Sequence, residues 1–153
     1  MNNQKFVYVT YIRTSPEELW EALTNSEFTH QYWMGHHVES DWKAGSSVKF
    51  TTPDGKVLLS GKILASEKPK VLSYTWSMQA DEQMRDEKPS RVTFHLERFE
   101  TNTELVKLTV SHDEFPENSK VFPGISDGWP MVLSSLKTLL ETKRAIPFKG
   151  SCG

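Results

Sequence analysis

The fold is decided by the stretch Ser126-Asp127-Gly128-Trp129-Pro130, which continues without a helix breaker to about Arg144. Ser126 or Asp127 can cap the amino end of a helix, and Pro130 is tolerated in a first turn. A helix this long with one apolar face must pack on a large apolar surface, which only the preceding segments can supply. That face consists of side chains that recur every three or four residues: Trp129, Val132, Leu133, Leu136, Leu139 and Leu140.

The segments before this helix indicate an antiparallel sheet. Residues 6–13 are rich in β-branched and aromatic side chains and predict a strand. Thr14-Ser15-Pro16 opens a helix, and a second short helix is predicted over residues 26–32. From Trp42 onward, apolar and polar side chains alternate between tight turns, which is typical of antiparallel strands with one solvent-facing side. The predicted fold class is α+β, with a curved antiparallel sheet of six or seven strands wrapped around the C-terminal helix.

Three local features refine this picture. The polar stretch 79–89 predicts a mobile hairpin loop. Residues 113–125 carry Phe115 and Phe122, each followed by a proline, so we expect a packed flap that closes one end of the space between sheet and helix. Gly61 lies in the middle of a predicted strand and is expected to mark a bend that opens the sheet.

Composition limits the classes of function. A chain of 153 residues is most simply one domain, and we expect its core to span residues 6–145 with a frayed tail over 146–153. The net charge of −2 and the lack of a basic tract argue against nucleic acid as a partner. No run approaches the ~20 apolar residues of a membrane span, and the amino terminus lacks an apolar signal core. A lone cysteine, Cys152, suits a reducing compartment, so a cytoplasmic location is predicted.

Five residue strings occur in order along the chain: Leu19-Trp20-Glu21-Ala22-Leu23-Thr24, Tyr32-Trp33-Met34, Asp41-Trp42-Lys43-Ala44-Gly45, Leu72-Ser73-Tyr74-Thr75-Trp76 and Gly128-Trp129-Pro130-Met131-Val132-Leu133. Together they resemble the Hsp90-ATPase-activator-homologue family of the START-like, or Bet v 1-like, superfamily. The resemblance implies a helix-grip fold with a cavity between the sheet and the last helix. The eukaryotic activators have a separate amino-terminal domain for most of the chaperone contact, and this chain resembles only their carboxy-terminal domain.

No catalytic residue, metal ligand or cofactor is predicted. His30, His36 and His37 cluster in sequence, but their spacing does not match a zinc motif, and a solvated turn is the better interpretation. The chain has no glycine-rich phosphate loop, and its single cysteine, Cys152, lies in the predicted tail.

The predicted site is an apolar ligand cavity. Its wall, or the core beneath it, is assigned to residues that share the inner face of the strands or the helix stripe: Phe50, Tyr74, Trp76, Met78, Phe94, Val110, His112, Trp129 and Leu133. A neutral His112 could bond a ligand carbonyl or hydroxyl. We therefore predict a protein that binds a small hydrophobic molecule, such as a lipid or a polyketide- or flavonoid-like aromatic. The alternatives are a chaperone-interaction module and an enzyme of the cyclase or hydrolase type.

Overall fold

The computed structural model describes residues 4–99 and 102–146. The predicted tail, with Cys152, lies outside the described residues from position 147 onward. Across the described ranges the elements follow in this order: β1 (Phe6–Arg13), α1 (Pro16–Thr24), α2 (Ser26–Tyr32), β2 (His37–Ser40), β3 (Ser47–Thr51), β4 (Val57–Glu67), β5 (Val71–Met78), α3 (Glu82–Arg85), β6 (Ser90–Phe99), β7 (Asn102–Asp113) and α4 (Val121–Thr142).

All seven strands belong to one antiparallel sheet with the order β1-β7-β6-β5-β4-β3-β2. Alternate side chains of each strand point to the same face, so Tyr74, Val92 and Val110 enter the core from three neighbouring strands. The buried stripe of α4 packs against this face. The predicted α+β helix-grip fold is therefore confirmed.

The two short helices after β1 form as predicted. Ser15 caps α1, because its hydroxyl accepts a hydrogen bond of 3.1 Å from the backbone N–H of Glu18. The Tyr32 hydroxyl donates to the Ala22 carbonyl at 2.8 Å and ties α2 to α1. Tyr32 is fully buried, so this bond also satisfies its only polar group inside the core.

The predicted start of the long helix is wrong. Helix α4 begins at Val121, where the Ser119 hydroxyl accepts from the backbone N–H groups of Val121 and Phe122, both at 3.1 Å. Ser126 is inside the helix and donates its hydroxyl to the Phe122 carbonyl, and Pro130 also lies within the helix. A helix can continue through a proline when tertiary burial outweighs its cost of about 3 kcal/mol. Here the buried residues before Pro130 are Val121, Ile125 and Trp129.

The stretch 79–89, predicted to be a hairpin loop, connects the paired strands β5 and β6 and contains the short helix α3. The Asp81 carboxylate accepts from the backbone N–H of Gln83 at 2.8 Å and caps this single turn. Met84 then packs its side chain against the core. An aspartate cap and one partly buried side chain stabilise this turn in an otherwise polar segment.

Gly61 is required by a close approach between β4 and β5. A Cβ atom at this position would lie 1.8 Å from the Thr75 carbonyl oxygen, a separation that no side chain tolerates. The pairing of β4 with β5 also shifts register between Ile63 and Ala65, as at a β-bulge. The sheet therefore bends beside Gly61. None of the helices in the described ranges combines the length and the apolar character needed to cross a membrane.

Candidate functional site

A cavity of about 250 Å³ lies between the β3–β5 part of the sheet and the amino-terminal half of α4. Strands β3, β4 and β5 supply one wall, α4 supplies the opposite wall, and the α2–β2 turn and α3 close the sides. The wall is largely apolar. Its residues are Trp33, Met34, His36, Phe50, Leu58, Leu59, Trp76, Met78, Met84, Val121, Gly124, Ile125, Gly128, Trp129 and Val132.

Three indole rings meet in this wall. The ring centroids of Trp33 and Trp129 are 5.3 Å apart, those of Trp76 and Trp129 are 5.4 Å apart, and those of Trp33 and Trp76 are 6.3 Å apart. Phe50 packs on Trp33 at 4.7 Å. These separations are typical of stable aromatic packing, so the cavity has a rigid aromatic wall that comes from four different parts of the chain.

Methionine side chains form the partly exposed rim. Met34, Met78 and Met84 account for three of the five methionines in the chain, and all three are only partly buried. An unbranched thioether can adopt many rotamers and contacts aromatic surfaces favourably. The rim is therefore suited to adjust around apolar ligands of differing shape.

Helix α4 presents two glycines to the cavity. Gly124 and Gly128 are four residues apart and therefore lie on the same side of the helix. A Cβ atom built on either glycine would find no heavy atom within 4 Å. Each glycine costs the helix up to about 1 kcal/mol relative to alanine, and no turn or close contact at these positions requires it. Both glycines line the cavity, and Gly124 is itself exposed, so they leave the space beside the aromatic wall unfilled and partly open to solvent.

His36 is buried in the wall, so its predicted place in a solvated turn is wrong. The α2–β2 turn folds inward because Gly35 takes a φ of +77° beside Pro53, and because the Thr29 hydroxyl donates to the His36 carbonyl at 3.0 Å. His36 is only 3% exposed, and burial lowers the pKa of its imidazole, with a further contribution from His37. His37 points outward and stacks on His30, with ring centroids 5.2 Å apart.

The nine predicted site residues divide into two sets. Four of them, Phe50, Trp76, Met78 and Trp129, line the cavity. The other five lie in the core beneath it or beside it and do not line it: Tyr74, Phe94, Val110, His112 and Leu133. Of the predicted flap, Val121, Gly124 and Ile125 line the cavity, and all three do so from the start of α4.

His112 is occupied by bonds within the protein. Its Nδ1 accepts from the indole N–H of Trp129 at 3.1 Å, and its Nε2 lies 2.7 Å from the Ser90 hydroxyl. Because the indole can only donate, Nδ1 carries no proton and the neutral ring bears its proton on Nε2. Burial lowers the pKa of His112 to about 3, and nearby Asp113 opposes this only in part. A ring with so low a pKa is a poor general base, so the Ser90–His112 pair is a structural contact.

The chemistry available in the wall is limited. Aspartate and glutamate are absent from the described residues that line the cavity, so no carboxylate is placed for acid–base catalysis. Within residues 4–99 and 102–146, no three His, Cys, Asp or Glu side chains are grouped to hold a metal ion. The nitrogen-bearing side chains in the wall are His36 and the three indoles of Trp33, Trp76 and Trp129.

Sequence reasoning missed most of the helix wall and the turn wall. The glycine pair in α4 was a usable signal, because glycines four residues apart in a helix without a turn indicate space on one face. That signal was hidden by the wrong helix start. Residues in the inward turn at Met34-Gly35 follow neither helix nor strand periodicity, so the burial of Trp33 and His36 could not be predicted from it.

Comparison with known families now identifies the chain. The sequence pattern of the family described as activator of Hsp90 ATPase homolog 1-like protein matches residues 13–141. The chain belongs to this Hsp90-activator-homologue family. The matched range runs from the last residue of β1 to the last turn of α4 and includes every residue that lines the cavity.

Solved structures show the same fold as this member of the Hsp90-activator-homologue family. Protein MLL2253 from Mesorhizobium loti is 28% identical, with a TM-score of 0.74 over 90% of this chain and 97% of that one. ChR145 from Cytophaga hutchinsonii is also 28% identical, with a TM-score of 0.71 over 94% and 98%. PFC0360w from Plasmodium falciparum, described as an HSP90 activator, is 20% identical, with a TM-score of 0.71 over 90% and 96%. No curated protein matches the chain in sequence.

Proposed function

We propose that this protein binds a small, largely apolar molecule in the cavity beneath α4. The observation that carries the proposal is the pair of glycines, Gly124 and Gly128, which keep about 250 Å³ open above a packed aromatic wall. A helix that only needed a solid core would gain stability from larger residues there. The volume lies just below the ~300–1,000 Å³ of typical ligand pockets and suits a compact ring system or a short acyl chain.

The expected affinity follows from the apolar area that a ligand would bury. A few hundred Å² at about 25 cal/mol per Å² gives a favourable term of several kcal/mol. Association entropy offsets part of this term, which leaves dissociation constants in the micromolar range. Because the methionine rim adapts its shape, we expect several apolar compounds to bind with similar strength.

The test is a variant that fills the cavity without weakening the fold. Gly128→Leu places a branched side chain where the structure has open space, and it also improves helix propensity. We expect this variant to lose binding of N-phenyl-1-naphthylamine, an uncharged fluorophore, while its thermal midpoint stays the same or rises. Ser134→Leu is the matched control, because it adds the same side chain to an exposed position of α4. If wild type does not bind the fluorophore, or if both variants bind it equally, the proposal is wrong.

A second candidate function is interaction with an Hsp90-type chaperone, in line with the family description and with PFC0360w. It is favoured by an exposed apolar patch on the edge strand β1 and the β6–β7 hairpin. Val7, Val9, Tyr11 and Phe99 are 51%, 46%, 41% and 37% exposed, and the Tyr11 and Phe99 rings pack edge to face. Apolar groups gathered on a sheet edge are suited to a protein partner.

The chaperone hypothesis is tested by the ATPase rate of a purified Hsp90-type chaperone with and without this protein. We expect acceleration by wild type, and its loss in Val9→Lys. Val57→Lys is the control, because Val57 is similarly exposed, at 39%, but lies on a different strand. If the rate is unchanged by wild type, this candidate is excluded and ligand binding remains. The cytoplasmic location stays a prediction.

A further inference from the structure

Three buried side-chain polar atoms lack a hydrogen-bond partner among the described residues: His36 Nδ1, Trp76 Nε1 and Ser135 Oγ. Two of these three, His36 Nδ1 and Trp76 Nε1, belong to side chains that line the cavity. Ser135 lies further along α4 and does not line the cavity. Unsatisfied polar atoms are thus concentrated at the candidate site, while the buried polar groups nearby are paired.

The indoles of Trp129 and Trp76 differ in their hydrogen bonding. Trp129 donates its N–H to His112, so this group already has an acceptor within the protein. Trp76 is 7% exposed, and its indole N–H can act only as a donor, so it needs an oxygen or nitrogen acceptor to form a hydrogen bond. The lowered pKa of His36 keeps its ring neutral at pH 7, with one nitrogen able to donate and the other able to accept.

We infer that the preferred ligand carries an oxygen substituent, a ketone or a phenol, on an apolar ring system, and that this oxygen accepts the Trp76 indole N–H while His36 bonds beside it. The inference rests on the proposed ligand-binding function. A purely hydrocarbon ligand would bury the same apolar area but leave both polar side chains unpaired. An unpaired buried donor is costly, so the site should discriminate against the ligand that lacks the oxygen.

The experiment compares fluorene with fluorenone, which share a ring skeleton and differ by one carbonyl oxygen. Their dissociation constants are measured by displacement of N-phenyl-1-naphthylamine. We expect wild type to bind fluorenone at least about fivefold more tightly than fluorene, because the carbonyl regains a hydrogen bond on entering the cavity. In Trp76→Phe, which keeps an aromatic ring but has no donor, the preference should fall to about one or reverse.

Trp33→Phe is the matched control, because Trp33 lines the same cavity and its indole nitrogen is not among the unpaired buried atoms. It should weaken both compounds together and keep their ratio. If fluorene binds wild type as tightly as fluorenone, the inference is wrong and the proposed function stands. If neither compound displaces the fluorophore, the inference is wrong, whereas the ligand-binding proposal fails only if wild type does not bind the fluorophore at all.

A measurement on wild type guards against a variant that does not fold. The chain has five tryptophans, so its indole N–H groups give a small set of NMR signals. Fluorenone should move the Trp76 indole proton downfield, as a new hydrogen bond requires, and fluorene should not. Equal shifts with both compounds would contradict the assigned donor.

Discussion

The buried histidine in the core predicts how the stability of this protein depends on pH. His112 has no exposed surface and a pKa near 3, against about 6.5 for an unhindered imidazole. Between these two values the unfolded chain binds a proton that the folded protein excludes. The free energy of unfolding therefore falls as the pH drops from about 6.5 toward 3, and it is independent of this group above that range.

The magnitude follows from the difference between the two pKa values. At about 1.36 kcal/mol per unit, the full difference corresponds to roughly 5 kcal/mol, of which about 2 kcal/mol is lost by pH 5. That loss is a large part of the 5–15 kcal/mol typical of a domain. His36 contributes in the same direction, so the effect of His112 must be isolated by substitution.

The perturbation is His112→Gln. A carboxamide can accept from Trp129 and donate to Ser90, as the imidazole does, but it does not titrate. We expect the slope of unfolding free energy against pH, measured by urea denaturation between pH 5 and 6.5, to decrease by about 1 kcal/mol per pH unit on average. The control is His95→Gln at an exposed position of the same sheet, which should keep the wild-type slope. Parallel curves for wild type and His112→Gln would refute the reasoning.

Two further predictions concern packing. Phe94→Ala should lower stability by about 3–5 kcal/mol, because Phe94 is fully enclosed, whereas Met78→Ala at the rim should cost less and change fluorophore affinity instead. Thermal melts and fluorophore titrations of both variants check this, and equal destabilisation with unchanged affinity would contradict it. Gly61→Ala should cost at least about 3 kcal/mol because its methyl group would meet the Thr75 carbonyl, while Gly124→Ala should gain about 0.5–1 kcal/mol. Urea midpoints that move in the same direction for the two glycines would overturn this contrast.

Periodicity alone determined the class of the fold. Alternation along β5 to β7 placed Tyr74, Phe94 and Val110 on one buried face, because side chains of a strand point alternately to its two sides. The spacing of α4 likewise placed its apolar stripe toward that face. These assignments depend only on the periodicity of strands and helices, which can be determined from the order of residues in a single sequence.

The beginning of α4 was decided by tertiary contacts. The sequence predicted a helix start near Ser126, because serine, aspartate and proline are favourable at helix starts. In the fold, Val121 and Ile125 are buried against the sheet, and Ser119 supplies the cap. The free energy gained by burying Val121 and Ile125 exceeds the local preference for a helix start near Ser126. This gain cannot be derived from residues that are neighbours in the sequence.

The sequence also could not predict which inner-face side chains lie in the core and which line the cavity. Trp76 and Tyr74 lie on the same inner face of one strand, yet only Trp76 lines the cavity. His36 and His112 are both buried, but Trp129 and Ser90 meet the polar needs of His112 alone. The alternation of side chains along a strand predicts which of them face the interior, because it depends only on the geometry of that strand. Whether the cover is another side chain or open space depends on what α4 and the α2–β2 turn bring opposite, and only the tertiary structure decides that.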